Sequence, residues 1–227
     1  VLLVEDALHR LSRRRRSRVF EGQSPDDVLG AVAADHGLDA DIAVSSASGD
    51  WHQLNETDLN FISRLAARWD IAVRIHNGAL RARAEEDDPE PVAVSPQANA
   101  QQIRIIADLN HQPQASGLRG WDFQGGDRVE DSADRLQPPA QGRGAAQTLG
   151  DLGWGDTEWL GRPHPQSADQ AREWAAAAFR RQARSFLSGE VLLQGNPALR
   201  VGGEVELAEV SARLAGRYRV VHLCHRF

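Results

Sequence analysis

Gln53-Leu54-Asn55-Glu56-Thr57-Asp58-Leu59-Asn60-Phe61-Ile62-Ser63-Arg64-Leu65-Ala66 is the stretch on which the fold turns. Leu59, Ile62, Leu65, Ala66 and Trp69 fall on one face at helical spacing, which predicts a helix over about 56–69. Asn55 reads as its N-cap with Asp58 three residues on. Leu54 and Leu59 are placed for a hydrophobic staple across the helix start.

Working upstream, Ser24-Pro25-Asp26-Asp27 opens a second helix over about 24–36. Ser24 caps it, Pro25 takes the first helical position, where a missing N–H costs nothing, and the two aspartates favour the positive end of the dipole. Val28, Leu29, Val32 and Ala33 form its apolar stripe, and Gly37 supplies a left-handed stop. Ile42 to Val44 is a short strand between the helices. Downstream, Ile71 to Ile75 alternates, and Asn77-Gly78 signals a hairpin into Leu80-Arg81-Ala82-Arg83. Together these elements predict a compact α/β unit.

The acidic, Pro-broken run Glu85-Glu86-Asp87-Asp88-Pro89-Glu90-Pro91 reads as a linker. Beyond it, Ile103 to Leu109 and the region around Trp121-Asp122-Phe123 read as strands, and Gln137 to Gln147 as an irregular loop. A long helix is expected over about 168–188, with Ser167 and Gln170 matching a capping box. Ala171, Trp174, Ala175, Ala178, Phe179, Ala183 and Phe186 form its buried stripe, and Gly189 ends it. Strands follow at about 190–194, 204–207 and 218–224. A helix feeding antiparallel strands gives an α+β assignment, the strands forming a small barrel or sheet.

Composition narrows the function classes. The 227-residue chain has an ordinary globular balance of apolar and charged residues and no apolar run near the roughly 20 residues that would cross a bilayer. No membrane partner is expected. All 26 basic residues are Arg, and with no Met and abundant Ala and Gly this points to GC-rich codons. The run Arg13-Arg14-Arg15-Arg16 therefore reads as a solvated or interface-facing strand end. With a net charge of -6, nucleic acid is not an expected partner. The chain begins at Val1 on an apolar, strand-like stretch, which predicts a portion of a longer protein. Cys224 stands alone, so no internal disulfide is possible, and it reads as a small buried side chain on a strand.

No convergent set of acid, base, nucleophile or metal ligands emerges. On a strand, His222 and Cys224 would face one way and His225 the other, a poor arrangement for one metal ion. Glu85-Glu86 lies in the linker and Asp26-Asp27 in the first turn of a helix. Gly150-Asp151-Leu152-Gly153-Trp154-Gly155 has no strand–helix context for a phosphate loop and reads as turns. The reading is that there are no catalytic, cofactor-binding or metal residues, and no cofactor. Trp69 and Trp174 read as core, whereas Trp51, Trp121, Trp154 and Trp159 lie in strand or loop contexts. Loop tryptophans are enriched at interfaces, but core packing is the reading for most of these four.

Several stretches resemble the phage late control gene D family. They are Phe20-Glu21-Gly22-Gln23-Ser24-Pro25-Asp26-Asp27-Val28 with His36-Gly37-Leu38, and the Gln53 to Ala66 segment. Near the end come Ser188-Gly189-Glu190, Gly195-Asn196-Pro197-Ala198-Leu199-Arg200-Val201-Gly202, Gly216-Arg217-Tyr218-Arg219-Val220 and His225-Arg226-Phe227. The family comprises baseplate hub proteins of contractile phages and the hub portions of related injection-system and type VI secretion spikes. The resemblance implies β-barrel-like hub domains with an α/β helical insertion: the end of a truncated first barrel at 1–22, the insertion at 23–84 and a second barrel-like domain at 85–227. It further implies a homotrimer in the full-length protein, with tail tube and central spike proteins as partners. Such a protein would be made in the bacterial cytoplasm and assembled into a tail, virion or injection particle, without enzymatic activity. The alternatives are a cell-wall-degrading tail hydrolase, or a binding module for carbohydrate, peptide or nucleic acid.

Overall fold

The computed structural model describes residues 4–83, 90–136 and 144–226. A short helix α1 (Leu8–Ser12) leads into β1 (Arg15–Gln23), followed by α2 (Pro25–Asp35), β2 (Ala40–Ala43), β3 (Gly49–Thr57) and α3 (Asp58–Ala66). A 3-10 turn over Ala67–Trp69 prolongs α3 before the hairpin of β4 (Arg74–His76) and β5 (Ala79–Arg83). β1 and β3 pair antiparallel as a two-stranded ribbon, while β5 sits between β2, parallel to it, and β4, antiparallel.

The start of α2 matches its sequence: Ser24 Oγ accepts from the Asp27 N–H at 3.1 Å while the Asp27 carboxylate accepts from the Ser24 N–H, a capping box with Pro25 at the first turn. Val28, Leu29, Val32 and Ala33 are all fully buried. The two-residue turn Asn77-Gly78 also forms as read, both residues at positive φ (50° and 83°), so that Ile75 faces Leu80 across the hairpin.

The start of α3 differs from the expectation. Asn55 and Leu54 belong to β3, which runs straight into the helix. Thr57 is the N-cap, its hydroxyl accepting from the Asn60 N–H at 3.2 Å. Leu54 is 70% exposed and staples nothing. The physical reason is strand pairing. Glu56 and Thr57 are held opposite Arg16 and Arg15 of β1, so the chain stays extended two residues longer than the cap pattern alone implies. Phe61, absent from the predicted stripe, is buried with Ile62, Leu65 and Ala66.

The rest of the described chain contains β6 (Val92–Val94), β7 (Ala100–Ala107), β8 (Ala115–Asp122), β9 (Asp127–Ala133), α4 (Ala145–Leu152), β10 (Thr157–Leu160), α5 (Ala168–Arg184), β11 (Leu187–Leu193), β12 (Glu204–Leu207) and β13 (Gly216–Arg219). β8 is central to a sheet with β9 antiparallel and β10 parallel. β12 lies between β13 and β6, and β7 pairs with β11 alone. The architecture is mixed α+β, and among the described residues none of the sheets closes into a barrel.

Ser167 caps α5 as expected, accepting from the Gln170 N–H at 3.2 Å. The Gln170 side chain, however, reaches Gln166 N–H and not the cap residue. The helix ends at Arg184, well short of Gly189, which sits in β11 opposite Ile105. A Cβ on Gly189 would stand 2.1 Å from the Arg104 carbonyl oxygen, so that glycine is there for close strand approach. The region read as an irregular loop ends in α4, which carries Gly150 and closes on Gly153 at φ +67°. The rest of that region, 137–143, and most of the acidic linker, 84–89, lie outside the described residues. The final strand stops at Arg219, leaving Cys224 exposed and not, as read from sequence, on a strand.

One buried cluster holds the first half together and reaches beyond it. Leu11, Phe20, Val28, Leu29, Val32, Trp51, Phe61, Ile62, Leu65 and Leu80 share it with Leu118 of β8 and with Trp174 and Ala175 of α5. The long helix thus packs on β8 and β9 with one side and reaches the first unit with the other.

Candidate interaction surface

The tightest constellation of ionisable groups surrounds Asp58, whose side chain is 1% exposed at the start of α3. Its carboxylate accepts from Gln53 Nε2 at 2.9 Å and Arg18 Nη2 at 3.0 Å, lies 2.8 Å from His36 Nε2, and has Arg16 Nε at 3.5 Å. Burial alone would push this carboxyl up. The hydrogen bonds from Gln53 and His36 and the charges of Arg18 and Arg16 outweigh it and hold it below the ordinary carboxylate value. A His–Asp pair invites a catalytic reading, but every partner here is another structural side chain. The node ties β1, α2, β3 and α3 to one another, and of the arginine run Arg16 takes part, pairing also with Asp35 at 3.1 Å.

The other acid pairs have local roles. Asp27 completes the α2 cap, and Asp26 Oδ1 accepts from the Val44 N–H at 2.5 Å. Glu85 and Glu86 lie outside the described residues. His222, Cys224 and His225 follow the last strand in irregular chain. Among the described residues, no three His, Cys, Asp or Glu side chains are grouped to hold a metal ion.

The six tryptophans divide into two sets. Trp51, Trp69 and Trp174 meet edge to face, with ring centroids 6.0 Å and 5.9 Å apart. Arg68 inserts its guanidinium between Trp51 and Trp174, 5.1 Å and 4.7 Å from the two ring centroids. Burial, then the nearby Arg64 charge, brings the Arg68 pKa down to about 10. Trp51 Nε1 donates to the Gln23 carbonyl and Trp69 Nε1 to Glu173, so this set is a packed cross-brace between the first unit and α5. The second set faces solvent: Trp121, Trp154 and Trp159 are exposed, with Arg119 stacked 3.8 Å over Trp159. Phe123, at the tip of the β8–β9 hairpin, is 79% exposed.

The β7–β11 ribbon also carries exposed apolar side chains. Among the described residues its two strands pair with no third strand, so each has an open edge. Ile106, Val191 and Leu192 are exposed on it. Beside it Pro96, Ala100, Ile103, Ile105, Val210 and Leu214 line an open depression of about 620 Å³, in which Arg104 is the charged residue of the wall. The sequence located both strands but gave no sign of their pairing or exposure. The missed signal is the loss of alternation in Gln101-Gln102-Ile103-Arg104-Ile105-Ile106. Phe123, between Asp122 and Gln124 with two glycines following, carried the signature of an exposed tip that the strand reading obscured.

The chain belongs to the family described as the Alg8 N-terminal domain, whose model matches residues 1–227. That description differs from the late control gene D family that the motifs resemble. Three solved structures share the fold. The 43 kDa tail protein of prophage MuSo2 from Shewanella oneidensis is 13% identical, with a TM-score of 0.67 over 93% of this chain and 64% of that one. A tail protein from Neisseria meningitidis MC58 is 12% identical, with a TM-score of 0.57 over 87% of this chain and 61% of that one. The prophage tail protein gp18 from Listeria monocytogenes EGD-e is 12% identical, with a TM-score of 0.55 over 93% and 63%. The chain therefore spans less than two thirds of the length of these tail proteins, whose fold it shares. No helix among the described residues is long and apolar enough to cross a membrane.

Proposed function

We propose that this chain is a structural, non-enzymatic part of a contractile phage tail or related injection machine, the hub component that joins tail tube to central spike. The observation that carries the reading is a fold shared over 93% of the chain with a prophage tail protein. The ordered hub-family motifs along the sequence and the uncovered β7–β11 ribbon support it. Residues 23–84 are then the α/β insertion, residues 1–22 the end of a first hub domain, and residues 85–227 a second. A ring of three such subunits offers six similar surfaces, the number needed to match a sixfold tube to a threefold spike. The ion-paired Asp58 node and the tryptophan cross-brace stiffen the unit and take no part in chemistry. The assembled protein resides in the tail or injection particle after synthesis in the bacterial cytoplasm.

Light scattering on the parent protein, alone and mixed with its tube and spike neighbours, tests this. A homotrimer that binds both is expected. A parent protein that stays monomeric at high concentration and binds neither overturns the reading. So does cell-wall hydrolysis that disappears when a single carboxylate or histidine is replaced.

A further inference from the structure

The loop that follows β7 and the start of β10 enclose an open pocket of about 300 Å³, lined by His111, Gln112, Pro113, Asp156, Thr157 and Glu158. Among the described residues, neither of its two carboxylates pairs with an arginine or a histidine. Both are held by neutral donors: Asp156 Oδ1 accepts from the Thr157 N–H at 2.7 Å, and Glu158 Oε2 from Gln182 Nε2 at 2.6 Å. Gln112 is only 9% exposed and commits its Nε2 to the Gln182 carbonyl at 2.9 Å and to Ser185 Oγ at 2.8 Å. These bonds fix which way the amide points and leave its Oε1 a buried acceptor without a partner. Such a group is costly until a donor reaches it.

The surroundings favour a cation. Gln182 lies in the last turn of α5 and Ser185 caps it, so the pocket stands at the negative end of the helix dipole. The arginines of that end are engaged elsewhere: Arg180 and Arg184 face Asp70 at 3.6 Å and 2.6 Å, and Arg181 donates to the Ala67 carbonyl. His111 is the one wall residue able to carry positive charge. Trp154, 70% exposed and two residues before Asp156, adds a ring on which a cation can rest. The pocket is not arranged for a metal ion, since among the described residues no three His, Cys, Asp or Glu side chains are grouped to hold one. An apolar ligand would leave the carboxylates and the Gln112 oxygen without donors. A guanidinium group answers them, because it is a planar cation with five N–H donors, no acceptor and a fork that matches carboxylates.

We propose that this pocket is a guanidinium site, filled by an arginine side chain of a chain packed against it. The inference does not rest on the hub reading, which light scattering tests separately. The isotope-labelled 227-residue chain is titrated with Nα-acetyl-arginine methylamide, and with the lysine analogue as control, while NMR follows the amides. Saturable shifts confined to the amides of His111, Gln112, Thr157 and Glu158 and to the Gln112 side chain are expected. The lysine probe should bind severalfold more weakly, because an ammonium lacks the planar fork. Glu158→Gln keeps the acceptor for Gln182 and should weaken the arginine probe about tenfold, the loss of one charge-assisted bond. Asp156→Asn keeps the bond from the Thr157 N–H and should act in the same direction. Spectra unchanged away from the pocket verify that both variants are folded. The protein alone identifies the source. Shifts of the same amides on raising its concentration, lost in Glu158→Gln, assign the arginine to a second copy, whereas a response to the probe only assigns it to another protein. Either supports the site. No saturable shift, shifts scattered over the surface, an equal response to the two probes, or indifference to both variants would each overturn the proposal.

Discussion

The core around α3 and the β7–β11 ribbon are made of similar residues and end in opposite environments. Val28, Leu29, Val32, Ile62 and Leu80 are wholly buried, while Val191 is 38%, Ile106 47% and Leu192 56% exposed. In the first region each apolar face meets another element of the same chain: α2 meets α3, and α3 meets β3 and the tryptophan cross-brace. In the second, the two strands pair with each other, with a shift at Leu192/Leu193, and among the described residues no third strand joins them. A fold can form a strand pair without covering it. What covers it is then a matter of assembly, and a long uncovered apolar edge left alone invites aggregation.

The contrast should break most visibly at Phe61, which stacks on Phe20 with ring centroids 5.6 Å apart. Phe61→Ala is expected to cost about 3–5 kcal/mol in denaturant melts, since it opens a cavity in a core that cannot collapse around it. A loss below about 1 kcal/mol would mean that the first region is as loosely held as the ribbon.

Asp58→Ala comes next, at about 3 kcal/mol, because it strands His36, Gln53 and two arginines around a vacated carboxylate. The pH dependence follows from the lowered pKa. A carboxyl that ionises more readily in the folded state than at its ordinary 3.8 contributes stability that is fully present above that value. The contribution is lost as pH falls through the lower folded value. Wild-type melts should therefore weaken below about pH 4 more steeply than those of Asp58→Asn. Parallel acid profiles for the two proteins would remove Asp58 from the account.

A smaller effect separates the two cap candidates of α3. Thr57→Ala should cost about 1 kcal/mol through loss of the bond to Asn60 N–H. Asn55→Gly should change stability by less than about 0.5 kcal/mol, because Asn55 sits at φ 47°, where glycine is at ease. The reverse order would restore Asn55 as the cap. Smallest of all, Leu192→Ser should shift the melt of the isolated chain by no more than about 0.5 kcal/mol, since its side chain is already in water.

The parts of the fold that were legible in the sequence are those fixed by local chemistry. The α2 cap, the Asn77-Gly78 hairpin and the start of α5 each depend on neighbours within a few residues. The errors came where distant strands decide. Pairing of Glu56 and Thr57 with β1 carries the strand past Asn55, which sits in a bulge at φ 47°, and pairing with β7 takes Gly189 out of the helix it was expected to end. The parallel strand β10 depends wholly on β8, so its own four residues carry little signal. α4 was hidden by its Gly-rich setting, in which only Ala145 and Leu149 mark a buried face. As for the candidate surface, exposure of Trp121, Trp154 and Trp159 could not be told from burial by residue type. Whether an aromatic is core or interface depends on what the rest of the chain brings over it.

Hydrogen exchange on the ribbon tests the central claim most directly, with the 227-residue chain compared against the assembled parent protein. In the isolated chain, amides of Ala100–Ala107 and Leu187–Leu193 should exchange well before those of Asp58–Ala66. In the assembly the ribbon should gain protection approaching that of the α3 core. A ribbon equally protected in both, or equally open in both, would contradict its role as an assembly surface.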